Sequence, residues 1–219
     1  MITVHHLNNS RSQRVLWLLE ELGVPYEIKH YQRNARTMLA PPELRAVHPL
    51  GKSPVITDGD TVIAESGAIM EYLTERFGQL APPAGSAERR RYTYWLHYAE
   101  GTLMTLMIVA LLLSRIERAP WLVRPIAKGI SAQVKRAYLT PNLRANLDFM
   151  EAELGKSEWF AGAELSAADI QMSFPVQAAA ARGGLDARYP KLKAYLQRIE
   201  ARPAYQRALQ KGGPFALLS

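Results

Sequence analysis

The sequence predicts an α/β domain with a small mixed sheet, followed by an all-helical bundle domain. Three observations carry this reading. Strand and helix signals alternate over residues 1–79, a Pro- and Gly-rich stretch follows at 80–86, and no strand signal returns from Ala87 onward. Ile2 to Leu7 reads as a short buried strand. Arg14 to Leu22 then sets apolar residues at helical spacing, and Gly23 is a C-terminal stop. Tyr26 to Tyr31 alternates as a second strand, with Tyr26, Ile28 and, more weakly, His30 on one face. Residues 34–46 are poorly patterned, with Pro41-Pro42 opening a short helix. Pro54 to Thr57 and Thr61 to Ala64 flank Asp58-Gly59-Asp60, a hairpin turn. Ser66 starts a helix with apolar Ile69, Tyr72, Leu73 and Phe77, ending near Gly78. The order β-α-β-α-β-β-α implies a crossover, a hairpin and a closing helix around one sheet.

Residues 80–86 read as a linker and 87–219 as the helical domain. A long helix runs from Ala87 to about Glu117, where Ala119-Pro120 breaks it. A second stretch follows Trp121, with Pro125 near its start, and continues past Pro141 to Gly155. Further helices cover about 167–182, 190–201 and 203–211. The 219 residues are 48% hydrophobic, enough for a sizeable core. There is no cysteine, which excludes a disulfide framework, a thiolate metal site and a nucleophilic protein thiol. The net charge is +7, but Lys and Arg are scattered and the dense run Arg89-Arg90-Arg91 suits a solvated helix face, so no nucleic-acid partner is expected. A mildly positive surface instead favours a small anion. His5 and His6 belong to the first strand, and no pair of histidines has metal-ligand spacing. The start lacks signal-peptide character, and the apolar run Leu103 to Leu113 is shorter than the roughly 20 residues of a membrane span. A soluble cytoplasmic protein with no transmembrane segment is the expectation.

Three local patterns carry chemistry. Asn9-Ser10-Arg11-Ser12-Gln13-Arg14 joins the first strand to the first helix. A Ser there either caps the helix or donates a hydrogen bond to a bound thiolate, at a helix start that favours anions. His48-Pro49-Leu50-Gly51-Lys52-Ser53-Pro54-Val55 sets a proline directly before a strand. By itself it is a loop; a cis Ser53–Pro54 bond would turn the Ser53 backbone outward toward a peptide. Glu65-Ser66-Gly67-Ala68-Ile69 opens a helix, where Ser66 can hold a carboxylate and Glu65 an ammonium, or where both are simply a cap and a solvated charge.

In this order and spacing the three patterns resemble the glutathione site of the glutathione transferases. The resemblance covers the whole chain, because Leu165-Ser166-Ala167-Ala168-Asp169-Ile170 matches the Ser-x-x-Asp box that caps a buried helix of that family's helical domain. The stretches APPELRAVHPLGKSPV, ESGAIMEYL, YAEG and LSAADIQMSFP are most similar to a fungal subgroup and its bacterial relatives. The resemblance implies a thioredoxin-like first domain, glutathione as co-substrate without a further cofactor or metal, and a twofold homodimer. It implies that Ser53 pairs through its backbone with the cysteinyl part of glutathione beside a cis Pro54. Glu65 and Ser66 hold the γ-glutamyl end, and Lys52 reaches the glutathione backbone or glycyl carboxylate. His48 stands where many relatives have Asn and reads as structural, as does His97.

For the thiolate partner the resemblance points first to Ser10, next to Arg11, with Asn9 and Ser12 behind. No tyrosine lies in this segment, and without cysteine a thiol-transfer mechanism is excluded. Tyr94, Tyr98, Met104 and Met107 recur at helical spacing, as core, interface or one wall of an electrophile pocket that Phe215 of the tail covers. The implied activity is attack of the glutathione thiolate on hydrophobic electrophiles, with peroxide reduction from the same thiolate. The alternative is a noncatalytic glutathione-fold protein that binds or regulates.

Overall fold

A computed structural model describes residues 1–182 and 184–213. The first part is a four-stranded sheet in the order β2-β1-β3-β4. Strand β1 (Ile2–Leu7) pairs parallel with β2 (Tyr26–Tyr31) and antiparallel with β3 (Val55–Asp58), which pairs antiparallel with β4 (Thr61–Ala64). The parallel pair is joined by helix α1 (Ser12–Leu22), and α2 (Pro42–Val47) leads toward β3. Helix α3 (Ser66–Phe77) closes this part. Gly23 and Gly78 end α1 and α3 in the left-handed conformation, with φ of 64° and 65°, which glycine adopts without a Cβ clash.

Alternation along β1 sorts its side chains. Ile2 and Val4 join the main core beneath α1 and α3, whereas Leu7 forms a small cluster with Tyr31 and Leu44 of α2 on the other face. On β2 Tyr26 and Ile28 pack against the main core and His30 is exposed, while Tyr31, on the opposite face, joins Leu7 and Leu44.

Every described element after α3 is helical. Helices α4 (Ala87–Tyr98) and α5 (Met104–Ile116) are joined by a π-helical turn at Ala99–Leu103. Helix α6 (Arg124–Val134) continues through a second π turn at Lys135–Leu139 into α7 (Thr140–Leu154). Helices α8 (Ala167–Ala181), α9 (Pro190–Glu200) and α10 (Pro203–Gly212) complete the described bundle. Helix α8 is the central one. A reciprocal capping box starts it, with Asp169 accepting from the Ser166 N–H and hydroxyl and from the Phe160 N–H. One apolar core runs through both parts, from Leu16 and Leu18 of α1 to Leu103, Ile170 and Ile199.

The two π turns change how the long helices read. The segment Ala87–Ile116 is one continuous 30-residue helix, long and apolar enough by length and composition to cross a membrane, so the apolar run at 103–113 is not an isolated short one. That is weak evidence for a span, because a core helix passes the same test. Here Trp95, Leu96, Ala99, Leu103, Leu106 and Met107 are buried against the rest of the protein.

Candidate active site

The sheet register brings the three sequence patterns to one end of the molecule. Antiparallel pairing of His5 with Val55 means that the chain leaving β1 runs past Ser53-Pro54 as it enters β3. Pairing of Val55 with Ala64 sets Glu65-Ser66 beside the same point. The loop after β1, the loop before β3 and the start of α3 therefore share one end of the sheet.

The Ser53–Pro54 peptide is cis. Ser53 Oγ donates to the His5 carbonyl at 3.1 Å, while among the described residues the Ser53 backbone N–H and C=O have no hydrogen-bond partner. A backbone edge so exposed is what an extended peptide needs to pair with.

Ser10 lies at the centre of a hydroxyl chain. Its Oγ is 3.3 Å from Ser53 Oγ, 2.7 Å from Ser12 Oγ, and accepts from the Ser12 backbone N–H at 3.2 Å. Arg11, not Ser10, occupies the helix cap position, and it has no capping side-chain bond. Ser12 is fully buried beneath Ser10 and reaches His6 Nδ1 at 2.9 Å. His6 Nε2 meets the Gly212 carbonyl at 2.9 Å; a carbonyl only accepts, so Nε2 carries the proton and Nδ1 is the acceptor for the Ser12 hydroxyl. Burial holds His6 neutral, pushing its pKa down to about 4 against the opposing pull of the Gly212 carbonyl. With Ser12 donating to His6, the Ser12 oxygen accepts from Ser10, and the Ser10 proton has acceptors at both Ser12 and Ser53.

Ser66 is buried at the start of α3, and its Oγ accepts from Arg14 Nη2 and from Gln171 Nε2, each at 3.0 Å. Its own proton stays available to a ligand, with the Arg14 charge directly behind. Arg14 is 2% exposed and also donates to Glu100 at 2.6 Å and to the Gln171 carbonyl at 2.6 Å. That carbonyl needs an outside donor because the residue four positions on is Pro175, which has no N–H to give it. Burial pulls the Arg14 guanidinium below its ordinary pKa and Glu100 pulls it back, so the charge is retained. Glu65, exposed, precedes Ser66 with φ of 71° and ψ of 124°, a costly conformation for a residue with a Cβ. Strain of that kind at the mouth of a helix N-terminus is a mark of a ligand clamp.

Ser10, Arg11, Asn9, Lys52 and Ser53 line a cleft of about 460 Å³. Its opposite wall is apolar, from Met104, Ile108, Leu111 and Phe174, with Met38 and Leu39 of the loop before α2. Arg33, Arg45 and Lys52 stand on the rim with no ion pair among the described residues, which makes the cleft attractive to anions. Arg11 is 3.5 Å from Glu100. Asn9 holds the turn with a φ of 49°.

The aromatic and methionine stripe is divided. Met104 lines the cleft, and Met107 lines an adjoining cavity of about 600 Å³ that shares Met38 and Leu111 with it. Tyr94 and Tyr98 instead pack with Trp95 and Phe149, and the Tyr98 hydroxyl donates to Asn146. The cause is the π turn at 99–103: its extra residue rotates the following helix by about 100°, so spacing counted across it no longer marks one face. Phe215 lies outside the described residues. His97 is exposed rather than structural, and His48 carries a buried Nδ1 with no partner among the described residues.

Four residues of this network were not singled out from the sequence: His6, Arg14, Glu100 and Gln171. Polar Gln13-Arg14 at the head of an otherwise buried apolar helix was the available signal for Arg14. Glu100 sits in the π turn, an irregularity that favours functional positions.

The sequence and the fold match known proteins along the chain. The family model for the glutathione S-transferase N-terminal domain matches residues 10–76, and that for the C-terminal domain matches residues 108–203. Glutathione S-transferase 3 of Schizosaccharomyces pombe is 38% identical over 215 residues, covering 96% of this chain and 88% of the relative. Glutathione S-transferase 1 of Saccharomyces cerevisiae is 33% identical, covering 96% and 95%. A crystal structure of a glutathione S-transferase from Actinobacillus pleuropneumoniae superposes with a TM-score of 0.79 at 35% identity, covering 100% of this chain and 95% of that one. A sphingomonad glutathione S-transferase solved in complex with glutathione shares the fold, with a TM-score of 0.73 at 24% identity over 96% of this chain and 98% of that one. The chain belongs to the glutathione S-transferase family.

Proposed function

We propose that this protein is a glutathione transferase that ionises the thiol of bound glutathione against Ser10 and directs it at hydrophobic electrophiles. The observation that carries the reading is the meeting, at one end of the sheet, of a Ser53 backbone unpaired among the described residues, the Ser10 hydroxyl and the Glu65-Ser66 helix start. Glutathione would lie extended along Ser53-Pro54. Its γ-glutamyl carboxylate would accept from Ser66 and the first N–H groups of α3, its ammonium would face Glu65, and its glycyl carboxylate would face the cationic rim with Lys52. Residues 1–79 would bind glutathione, and residues 87–219 would supply the apolar wall for the electrophile, with Met104 in contact and Met107 deeper.

The energetics suffice without a metal or cofactor. A free thiol has a pKa of about 8.5, and lowering it by about two units takes about 2.7 kcal/mol of preferential thiolate stabilisation. A hydroxyl hydrogen bond to a charged group contributes about 1.5–3 kcal/mol, and a helix N-terminus about 0.3–1 kcal/mol. Ser12 and His6 hold the Ser10 oxygen in place and are both neutral, and the Ser10 proton would turn from Ser12 to the sulfur as the thiolate forms. Arg11, Asn9 and Ser12 rank behind Ser10 as thiolate partners: Arg11 is engaged with Glu100, Asn9 shapes the turn, and Ser12 is covered. In the reaction the sulfur forms a bond to the electrophilic carbon as the leaving group departs with its electron pair. The same thiolate can attack the O–O bond of an organic hydroperoxide.

The homodimer, and a cytoplasmic site of action, belong to the same proposal. Val62 of edge strand β4 and Tyr94 and Phe149 of the aromatic cluster are exposed, which suits a twofold contact between the sheet part of one subunit and the helical part of the other. Retention on immobilised glutathione, followed by turnover of a chlorinated nitrobenzene and of cumene hydroperoxide, tests the function. Retention without turnover of either would instead favour a noncatalytic binding protein, and no retention would refute the site.

A further inference from the structure

A group of exposed apolar side chains lies where α5 turns into α6. Trp121 is 78% exposed, Leu122 71% and Ile126 68%. Ile108, which also lines the cleft, Leu112 and Ile116 form an exposed row at four-residue spacing on α5, and Ile126 and Ile130 of α6 form another with Leu122 of the preceding turn. Single exposed apolar residues need no explanation, but a contiguous group at one corner does.

The charge around the patch is equally one-sided. From Leu111 to Arg136 there are six Lys and Arg residues against one acid, Glu117. Glu117 is already bound by Lys135 at 2.7 Å and by the Ser131 hydroxyl at 2.6 Å. Arg115, Arg118, Arg124 and Lys128 are exposed and make no ion pair among the described residues. Arg124 and Lys128 form their own row on α6, roughly opposite the Ile126 and Ile130 row. Apolar Ile126 and Ile130 opposite cationic Arg124 and Lys128 on one short helix, with exposed Trp121 and Leu122 in the turn before it, have the distribution of segments that lie in a membrane interface.

We infer that the α5–α6 corner is a docking surface for an anionic lipid bilayer, with Trp121, Leu122 and Ile126 entering the headgroup boundary and Arg118, Arg124 and Lys128 facing the lipid phosphates. A second copy of the chain is a poorer occupant, because a twofold contact would oppose the same unpaired cations across it. A nucleic acid would match the charge but leave the apolar rows in water. The protein would lie on the membrane rather than span it, since the helix that leads to the corner is anchored in the core. Its apolar substrates partition into the same bilayer; this advantage rests on the proposed transferase reading, whereas the docking surface does not.

The protein itself supplies the probe. Of its four tryptophans, Trp17, Trp95 and Trp159 are buried, so a change in exposed tryptophan emission reports Trp121. Vesicles of phosphatidylcholine with about one-third phosphatidylserine should shift the emission to the blue, protect it from acrylamide, and carry the chain into the pellet. Pure phosphatidylcholine vesicles, or raised salt, should weaken binding several-fold. Leu122→Ser with Ile126→Ser should reduce partitioning about tenfold or more, and Arg124→Glu with Lys128→Glu should abolish the preference for the anionic lipid. Both variants should keep full glutathione-conjugating activity in detergent-free buffer, which separates failure of this inference from failure of the transferase reading. Absence of binding at millimolar anionic lipid overturns the inference. So does equal binding by the variants, or a concentration-dependent oligomer that Leu122→Ser with Ile126→Ser dissolves while lipid binding is nil.

Discussion

Arg14 ties the glutathione half to the central helix of the bundle, and replacing it with methionine isolates that tie. Methionine fills much of the volume but returns none of the three polar contacts. The Gln171 carbonyl is left without a donor, since Pro175 offers none, and an unsatisfied buried acceptor costs about 1–3 kcal/mol. Ser66 keeps Gln171 as a donor. Glu100 keeps only Arg11, at 3.5 Å, but its side chain is 31% exposed, so water and Arg11 limit that loss. Breaking a fully buried pair costs about 3–5 kcal/mol, and the exposure of Glu100 puts this case near the lower end, about 3 kcal/mol. For a chain of this size each kcal/mol moves Tm by about 2–4 °C, so Arg14→Met should lower it by about 6–12 °C. The decisive comparison is a double-mutant cycle with Pro175→Ala, which restores an N–H to the Gln171 carbonyl. In that background Arg14→Met should be milder by about 1–2 kcal/mol. An equal Tm loss in both backgrounds would refute the assignment of Arg14 to the carbonyl that proline leaves open.

Other consequences are equally direct. Ser10→Ala should raise the pKa of the bound glutathione thiol by about one to two units and cut kcat/KM by about 5–50-fold near pH 6.5, with little change in glutathione affinity. The ultraviolet absorbance of the thiolate against pH reads this, and an unmoved titration would transfer the role to Arg11 or Asn9. His6 has a folded pKa of about 4, below its unfolded value, so its neutral form stabilises the fold above pH 6.5, and that contribution, about 3 kcal/mol, is lost as pH falls through 4. Unfolding free energy against pH should therefore be flatter for His6→Gln than for wild type between pH 6.5 and 4; parallel curves would contradict it. Glu65→Gln and Ser66→Ala should each weaken glutathione binding by about tenfold in calorimetry while leaving the thiol pKa in place, and wild-type affinity in both would remove α3 from the site.

Much of this was legible in the sequence because its signals are local. Gly23 and Gly78 mark helix ends, Asp58-Gly59-Asp60 marks the hairpin, and Ser166 with Asp169 marks the start of the buried helix. The loops carrying Ser10, Ser53 and Glu65-Ser66 were separable by their turn residues, and their convergence follows from strand register. What escaped is non-local or aperiodic. Nothing in the segment around Arg14 announces a carbonyl 157 positions away, although Pro175 announces that the Gln171 carbonyl needs a donor from somewhere. The π turn at 99–103 contains no proline, and its single glycine, Gly101, does not by itself end a helix, so a 3.6-residue count runs through it and joins Tyr94 and Tyr98 to Met104. The buried chain from Ser12 through His6 to Gly212 joins the two ends of the molecule, and a histidine in a strand gives no sign of its tautomer.

A crystal structure with reduced glutathione bound tests the central claim most directly. The account predicts the sulfur within about 3.5 Å of Ser10 Oγ, the cysteinyl backbone paired with Ser53, and the γ-glutamyl end on Glu65 and Ser66. A sulfur whose nearest polar neighbour is Arg11 or Asn9, or a tripeptide seated away from Ser53, would contradict it.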